Sequence, residues 1–146
     1  MHRAGPESAP RGIKMCSILI VEDNLIFRNS LREMLAMRFP TAEIEEASNG
    51  DEAMHMIDRL EPDLVFMDIK LPGRNGIELT RAIKSSKARI MVIILTSYDI
   101  PEYREAAIRS GASHFFTKGN ARSDEIVAVV SSALERKCCA ELRPAN

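Results

Sequence analysis

Five short runs of β-branched and apolar residues recur along this chain, and a segment with helical periodicity follows each run. This alternation constrains the fold most, because it is typical of strand and helix repeats that build a parallel sheet. The predicted strands cover residues 17–21, 42–46, 64–67, 90–95 and 113–116. The runs LVFM at 64–67 and IMVIIL at 90–95 are continuously apolar, which indicates strands covered by helices on both faces.

The segments between the strands carry the start and stop signals of helices. Ser48 is a good cap for the second helix, and Pro62 stops it. The third helix is predicted to begin near Gly76, and the fourth to run from Pro101 to Gly111. The fourth has the weakest apolar stripe, which makes it a candidate for movement or partner contact. We therefore expect a right-handed, doubly wound α/β fold of five parallel strands, with helices on both faces.

The length and composition fit one globular domain. The chain has 146 residues, 45% of them hydrophobic and 28% charged, which is enough to build a core without a structural metal or a disulfide framework. Its 20 basic and 21 acidic residues leave a net charge of -1, so we predict no direct binding to nucleic acid or to a membrane surface.

Two further features predict the location of the protein and the limits of its domain. No run approaches the length of a membrane span, and residues 1–14 lack the apolar core of a signal peptide, so we expect a cytoplasmic protein with reduced cysteines. Residues 1–14 and 138–146 show no periodicity. We interpret residues 1–14 as a disordered N-terminal tail, 15–137 as the domain, and 138–146 as a C-terminal tail or the start of a linker.

Charged and hydroxyl side chains follow four of the predicted strands. Glu22 and Asp23 come after the first strand, and Asp68 comes after the third. Thr96 ends the fourth strand, and Lys118 follows the fifth. Because ligands bind at the carboxyl ends of parallel strands, we expect these five side chains to converge on one edge of the sheet.

Three carboxylates gathered in this way need compensation. Two unit charges about 4 Å apart repel by about 4 kcal/mol at an effective dielectric constant of about 20. Mg²⁺ prefers oxygen ligands and would bind Glu22, Asp23 and Asp68, and Mn²⁺ would satisfy the same ligands. An ionised aspartate beside a metal and a lysine can act as a nucleophile toward a phosphoryl group.

Four separated motifs resemble one known family. The segments are VEDN at 21–24, VFMDIKLPGRNGIEL at 65–79, ILTS at 94–97 and FFTKG at 115–119. In this order and spacing they resemble the receiver domain of bacterial two-component response regulators, over residues 15–137. The resemblance implies a flavodoxin-like sheet with the strand order 2-1-3-4-5.

The resemblance also implies a role for each site residue. Asp68 would be the phosphoacceptor, and Thr96 and Lys118 would contact the phosphoryl group. Asp23, Asp68 and the backbone carbonyl of Lys70 would bind Mg²⁺ directly, and Glu22 would act through water. Thr96 and Phe115 would form the conformational switch. In this family two residues line the route to the phosphoryl group, and the matching residues in this chain would be Lys70 and Tyr98.

The implied function is a phosphorylation-dependent signalling switch rather than an enzyme that turns over an external substrate. Its partners would be a sensor histidine kinase or a phosphotransfer protein, and either a downstream output partner or a missing helix-turn-helix domain of a DNA-binding transcriptional regulator. A phosphorylation-linked homodimer stays open. The alternative is a receiver-like interaction module that is not phosphorylated. A metal-dependent phosphatase of the haloacid dehalogenase type is disfavoured, because Lys70 stands where a second acid would be expected.

Overall fold

The computed structural model of the chain describes residues 15–137, which contain seven strands and five helices. The strands are β1 (Ser17–Val21), β2 (Glu43–Ala47), β3 (Leu64–Met67), β4 (Lys70–Leu71), β5 (Arg74–Asn75), β6 (Met91–Thr96) and β7 (His114–Thr117). The helices are α1 (Leu25–Arg38), α2 (Gly50–Leu60), α3 (Gly76–Ser86), α4 (Pro101–Arg109) and α5 (Ser123–Lys137). None of these helices has the length and apolar character that a bilayer-spanning segment needs.

The main sheet has the strand order β2-β1-β3-β6-β7, and all of its neighbouring strands are parallel. With the short β4 and β5 set aside, this is the predicted order 2-1-3-4-5. The central strand β3 is buried along its whole length, as its continuous apolar run indicates. The predicted fold class is therefore confirmed.

The sheet separates two apolar cores. Alternate residues of the strands point to opposite faces, so Val65 and Met67 of β3 enter one core while Leu64 and Phe66 enter the other. The first core is completed by apolar residues of α2, α3 and α4. Helices α1 and α5 complete the second core. The α5 stripe of Ile126, Val130 and Leu134 is buried, as predicted.

Several predicted boundaries shift by one residue. The second, fourth and fifth strands of the main sheet each begin and end one residue later than expected. The cap of α2 is Asn49 rather than Ser48, because the Asn49 side chain accepts a hydrogen bond from the backbone N–H of Glu52 at 2.8 Å. Ser48 instead donates from its backbone N–H and its hydroxyl to the Glu52 carboxylate.

A small antiparallel hairpin of β4 and β5 follows β3 and was not expected from the sequence. Gly73 lies at its turn with a φ of 74°, a conformation that favours glycine. The Pro72–Gly73 pair is a turn signal that could have predicted the hairpin.

The expectation of reduced cysteines is wrong for Cys16, which is disulfide-bonded. The other two cysteines lie outside the described residues. Cys16 is buried just before β1 and shares a cleft with Leu134 and Glu135 near the end of α5. The fold thus returns the last helix to the start of the first strand, a proximity that spacing in the sequence does not reveal.

Helix α4 is weakly anchored, as its poor apolar stripe predicted. All of this helix lies within the described residues, and Ala107 is the only residue of the helix that is buried. Tyr103 and Ala106 are half-buried. No side chain caps its N-terminus, where Pro101 occupies the first turn. Its position therefore depends on polar and aromatic contacts more than that of the other helices does.

Gly76 has no room for a side chain. A Cβ at this position would lie 1.9 Å from the carbonyl oxygen of Asp68. We expect Gly76→Ala to lower the free energy of unfolding by about 2 to 3 kcal/mol, because backbone must move to relieve the overlap. Urea denaturation followed by circular dichroism measures this loss.

Gly119→Ala is the matched control, since a Cβ at Gly119 meets nothing within 4 Å. It should change the free energy of unfolding by less than about 0.5 kcal/mol. Equal stability of the two variants would contradict the close packing of α3 against the Asp68 backbone.

Candidate functional site

Three carboxylates meet at the carboxyl edge of the main sheet, as predicted. Glu22 and Asp23 follow β1, Asp68 follows β3, and one oxygen atom from each lies within 4.8 Å of the others. Glu22 and Asp68 are buried, at 3% and 6% exposure, whereas Asp23 is exposed. The cluster is therefore open to solvent on one side only.

Lys118 supplies the positive charge at this cluster. Its Nζ lies 2.7 Å from Oε1 of Glu22 and 3.3 Å from Oδ2 of Asp68. The Phe27 ring, whose centroid is 4.5 Å from Nζ, packs against the same ammonium. The Lys118 backbone N–H donates to the carbonyl of Thr96 at 2.8 Å, which fixes the start of the side chain beside β6.

Burial governs the ionisation of Glu22. Desolvation raises the pKa of its carboxyl group above the ordinary value of 4.5, and the nearby charge of Asp68 acts in the same direction. The hydrogen bonds from Lys118 and from the backbone N–H of Asn24 oppose this rise in pKa without cancelling it.

A second cation holds the loop that carries Glu22. Arg28 donates from Nη1 to the carbonyl of Glu22 at 2.7 Å and from Nε to Oε1 of Glu46 at 2.8 Å. It thereby connects α1, the β1 end and β2. Nothing in the sequence pattern pointed to Arg28, because its partners lie on separate elements.

Both carboxylate oxygens of Asp68 have a hydrogen-bond donor nearby. Its Oδ1 accepts a hydrogen bond from the Ile69 N–H at 2.7 Å, and Oδ2 faces Lys118. The backbone of Gly76 packs against the Asp68 carbonyl, and the Gly76 N–H donates to Ile69 at 2.8 Å. The start of α3 therefore holds the acidic residue in place.

The two predicted switch residues lie on adjacent strands. Thr96 ends β6 and is buried, and its Oγ1 is 3.4 Å from the backbone N of Tyr98. Phe115 on β7 pairs with Ile94 in the sheet and is 8% exposed. The guanidinium of Arg104 on α4 lies 4.6 Å from the Phe115 ring centroid, a contact that the sequence did not predict.

Lys70 lies in β4, two residues after Asp68, and its side chain points to aromatic neighbours. The Lys70 Nζ is 5.4 Å from the ring centroid of Tyr98 and 5.6 Å from that of Tyr103. The two tyrosine rings meet edge to face, 6.4 Å apart. Tyr103, on the first turn of α4, is a further neighbour that the sequence analysis missed.

The donor set suits a hard divalent cation. Carboxylate oxygens within reach of one another are the ligands that Mg²⁺ takes, and the exposed side of the cluster leaves room for water ligands. Glu22, Asp23 and Asp68 could therefore hold such an ion, which would stabilise negative charge transferred to Asp68. The fit rests on the chemistry and proximity of these three side chains.

The five-stranded flavodoxin-like sheet has an acidic cluster and a lysine at its carboxyl edge. This combination places the protein in the signal receiver class of α/β proteins. The family model of the response regulator receiver domain matches residues 18–131. The chain belongs to this family, whose members are signalling modules of two-component systems.

Relatives and solved structures agree with this assignment. The chain is 43% identical over 101 residues to chemotaxis protein CheY of Halobacterium salinarum, covering 69% of this chain and 82% of the relative. It is 37% identical over 116 residues to transcriptional regulatory protein LnrK of Bacillus subtilis, covering 80% of this chain and 52% of the relative. A two-component response regulator of the LuxR family from Aurantimonas sp. SI85-9A1 superposes with a TM-score of 0.75 at 30% identity, covering 86% and 89% of the two chains.

The raised pKa of Glu22 predicts a pH-dependent stability in the absence of divalent metal. Below pH 4.5 the carboxyl is protonated in the folded and the unfolded chain, and stability is lost as the pH rises through the raised folded pKa. We expect Glu22→Gln to be more stable than the parent at pH 7 in chelator, with a difference that shrinks as the pH falls toward 4.5. Urea denaturation at a series of pH values measures it.

Glu33→Gln, at an exposed position on α1, controls for the loss of one negative charge. A stability difference between the Glu22 variant and the parent that stays constant from pH 7 to pH 4.5 would contradict the assignment of the effect to Glu22.

Proposed function

We propose that this chain is a phosphorylation-dependent switch in which Asp68 accepts a phosphoryl group from a sensor histidine kinase or a phosphotransfer protein, in the cytoplasm. The observation that carries the proposal is the convergence of Glu22, Asp23 and Asp68 within 4.8 Å, beside the Lys118 ammonium. Such an arrangement suits the transfer of an anionic group to a carboxylate.

In the proposed reaction an Asp68 carboxylate oxygen attacks the phosphorus atom. The bond to the donor nitrogen breaks, and the electron pair leaves with the donor histidine. Asp23, Asp68 and the Lys70 carbonyl would hold Mg²⁺, with Glu22 acting through water, and the bound ion would supply positive charge to neutralise the phosphoryl oxygens. Lys118 pairs with the same oxygens, and no general base is needed because Asp68 attacks as a carboxylate.

The proposed readout begins at Thr96. Its hydroxyl donates a hydrogen bond to the new phosphoryl group, and the Phe115 ring changes position as Thr96 moves. The surface formed by α4, β7 and α5 rearranges as a result. In this structure Phe115 is buried beneath Arg104, so the switch would act on an aromatic side chain that α4 already contacts.

The output is proposed from the relatives. This chain spans about half the length of the curated transcriptional regulators LnrK and YvfU from Bacillus subtilis, 52% and 59% respectively. We propose that it serves as the receiver part of a DNA-binding regulator with a helix-turn-helix domain, and that it does not itself bind nucleic acid or turn over a substrate. The match to 82% of a CheY protein supports a stand-alone regulator as the second candidate.

Incubation with acetyl phosphate tests the phosphoacceptor. We expect the intact mass to rise by one phosphoryl group with Mg²⁺ present, and to stay unchanged in chelator or in Asp68→Asn. Asp58→Asn, which removes an exposed aspartate of α2, is the matched control and should be phosphorylated like the parent. A folded parent that gains no mass would favour the interaction module that is not phosphorylated.

Tyr98 is expected to shield the phosphoryl group from water. Its ring is 42% exposed and lies just after Thr96, against the ring of Tyr103. We expect Tyr98→Ala to shorten the lifetime of phosphorylated Asp68, because the smaller side chain lets water approach. Decay of the phosphorylated mass after removal of acetyl phosphate measures the lifetime, and an unchanged value would show that Tyr98 is not a gate.

A further inference from the structure

Lys70 lies two residues after Asp68 and carries a positive charge, yet among the described residues it takes no part in the ion pairs of the acidic cluster. Within residues 15–137 the ion pairs of the acidic cluster are made by Lys118, and none joins Lys70 to a carboxylate. The Lys70 ammonium instead lies over two tyrosine rings, 5.4 and 5.6 Å from their centroids. Both distances are within the range at which a ring face attracts a cation.

The two rings belong to different parts of the structure. Tyr98 lies in the loop after β6, whereas Tyr103 lies on the first turn of α4. The contact of Tyr103 with Lys70 joins α4, whose only buried residue is Ala107, to the segment that follows Asp68. Lys70 in turn is two residues from Asp68 and belongs to the hairpin of β4 and β5.

We propose that Tyr103 is a positioning residue for the divalent cation and acts through Lys70. By holding the Lys70 ammonium over its ring, Tyr103 keeps a competing positive charge out of the acidic cluster and restrains the residue proposed to offer its carbonyl to the ion. Loss of the Tyr103 ring leaves only Tyr98 to hold the ammonium, which then pairs more often with the carboxylates and weakens metal binding.

A coupling between α4 and the metal site follows from this arrangement. Any ligand that draws Tyr103 away from Lys70 lowers the affinity for the cation, and the cation opposes that displacement by the same factor. A partner seated on α4 would thus alter the ability of Asp68 to be phosphorylated without touching the acidic cluster.

A four-protein cycle tests the role of Tyr103, with Mn²⁺ as the probe and free Mn²⁺ counted by electron paramagnetic resonance. The proteins are the parent, Tyr103→Leu, Lys70→Met and the double variant. Tyr103→Leu changes no charge, and we expect it to weaken Mn²⁺ binding about two- to fivefold, the range for one partly exposed cation–π contact. In the Lys70→Met background the same substitution should have no effect.

Rescue separates positioning from a general structural role. Tyr103→Phe keeps the ring and should bind Mn²⁺ like the parent. Equal affinity of the parent and Tyr103→Leu, or an equal loss with and without Lys70, would overturn the proposal. Circular dichroism of each variant confirms that it is folded before the titration.

Intrinsic fluorescence gives a readout that does not depend on phosphorylation. The chain has two tyrosines and no tryptophan, so its emission comes from Tyr98 and Tyr103 alone. We expect Lys70→Met, which removes the cation from both rings, to change this emission in the metal-free protein, and emission equal to that of the parent would count against the contact.

Because this role rests on the proposed metal site, Asp23→Asn separates the two claims. It should abolish Mn²⁺ binding and leave the tyrosine contacts intact. A parent that binds no Mn²⁺ would overturn both the proposed function and the role of Tyr103, whereas binding that is insensitive to Tyr103 would overturn the second alone.

Discussion

The Lys118 ammonium is the interaction on which the acidic edge of the sheet depends. It lies 2.7 Å from Glu22 and 3.3 Å from Asp68, and both carboxylates are buried. Without a cation between them, the two buried carboxylates would repel each other, and solvent could not reach them to screen the repulsion. A backbone hydrogen bond to Thr96 positions this lysine. The geometry of β6 and β7 therefore determines whether the charges of the carboxylates that follow β1 and β3 are compensated.

Most of the fold and the acidic site follow from local sequence signals. Continuous apolar runs predicted that helices cover both faces of β3 and β6, and the residues after each strand predicted where Glu22, Asp68 and Lys118 would meet. The cap of α2 was misplaced by one residue because Ser48 and Asn49 both favour that position, and side-chain geometry decides between them. The Pro72–Gly73 pair is a local signal for the turn between β4 and β5.

Other features have no local signal at all. The contacts of Lys70 with Tyr103 and of Arg104 with Phe115 join residues of different elements, and they depend on where α4 packs in the folded chain. Cys16 likewise lies near the end of α5 only in the folded chain, which its position in the sequence does not indicate. Long-range polar contacts of this kind need the assembled structure, because no periodicity records them.

The sheet also divides the domain into two cores that share no side chain, since each strand residue faces only one of them. Helix α4 borders the core that includes Phe115, whereas α1 and α5 close the other. Packing on one face can therefore loosen while the opposite face stays intact. Amide hydrogen exchange in such a domain would be asymmetric, with α4 opening by local fluctuation and the interior strands exchanging only when the whole molecule unfolds.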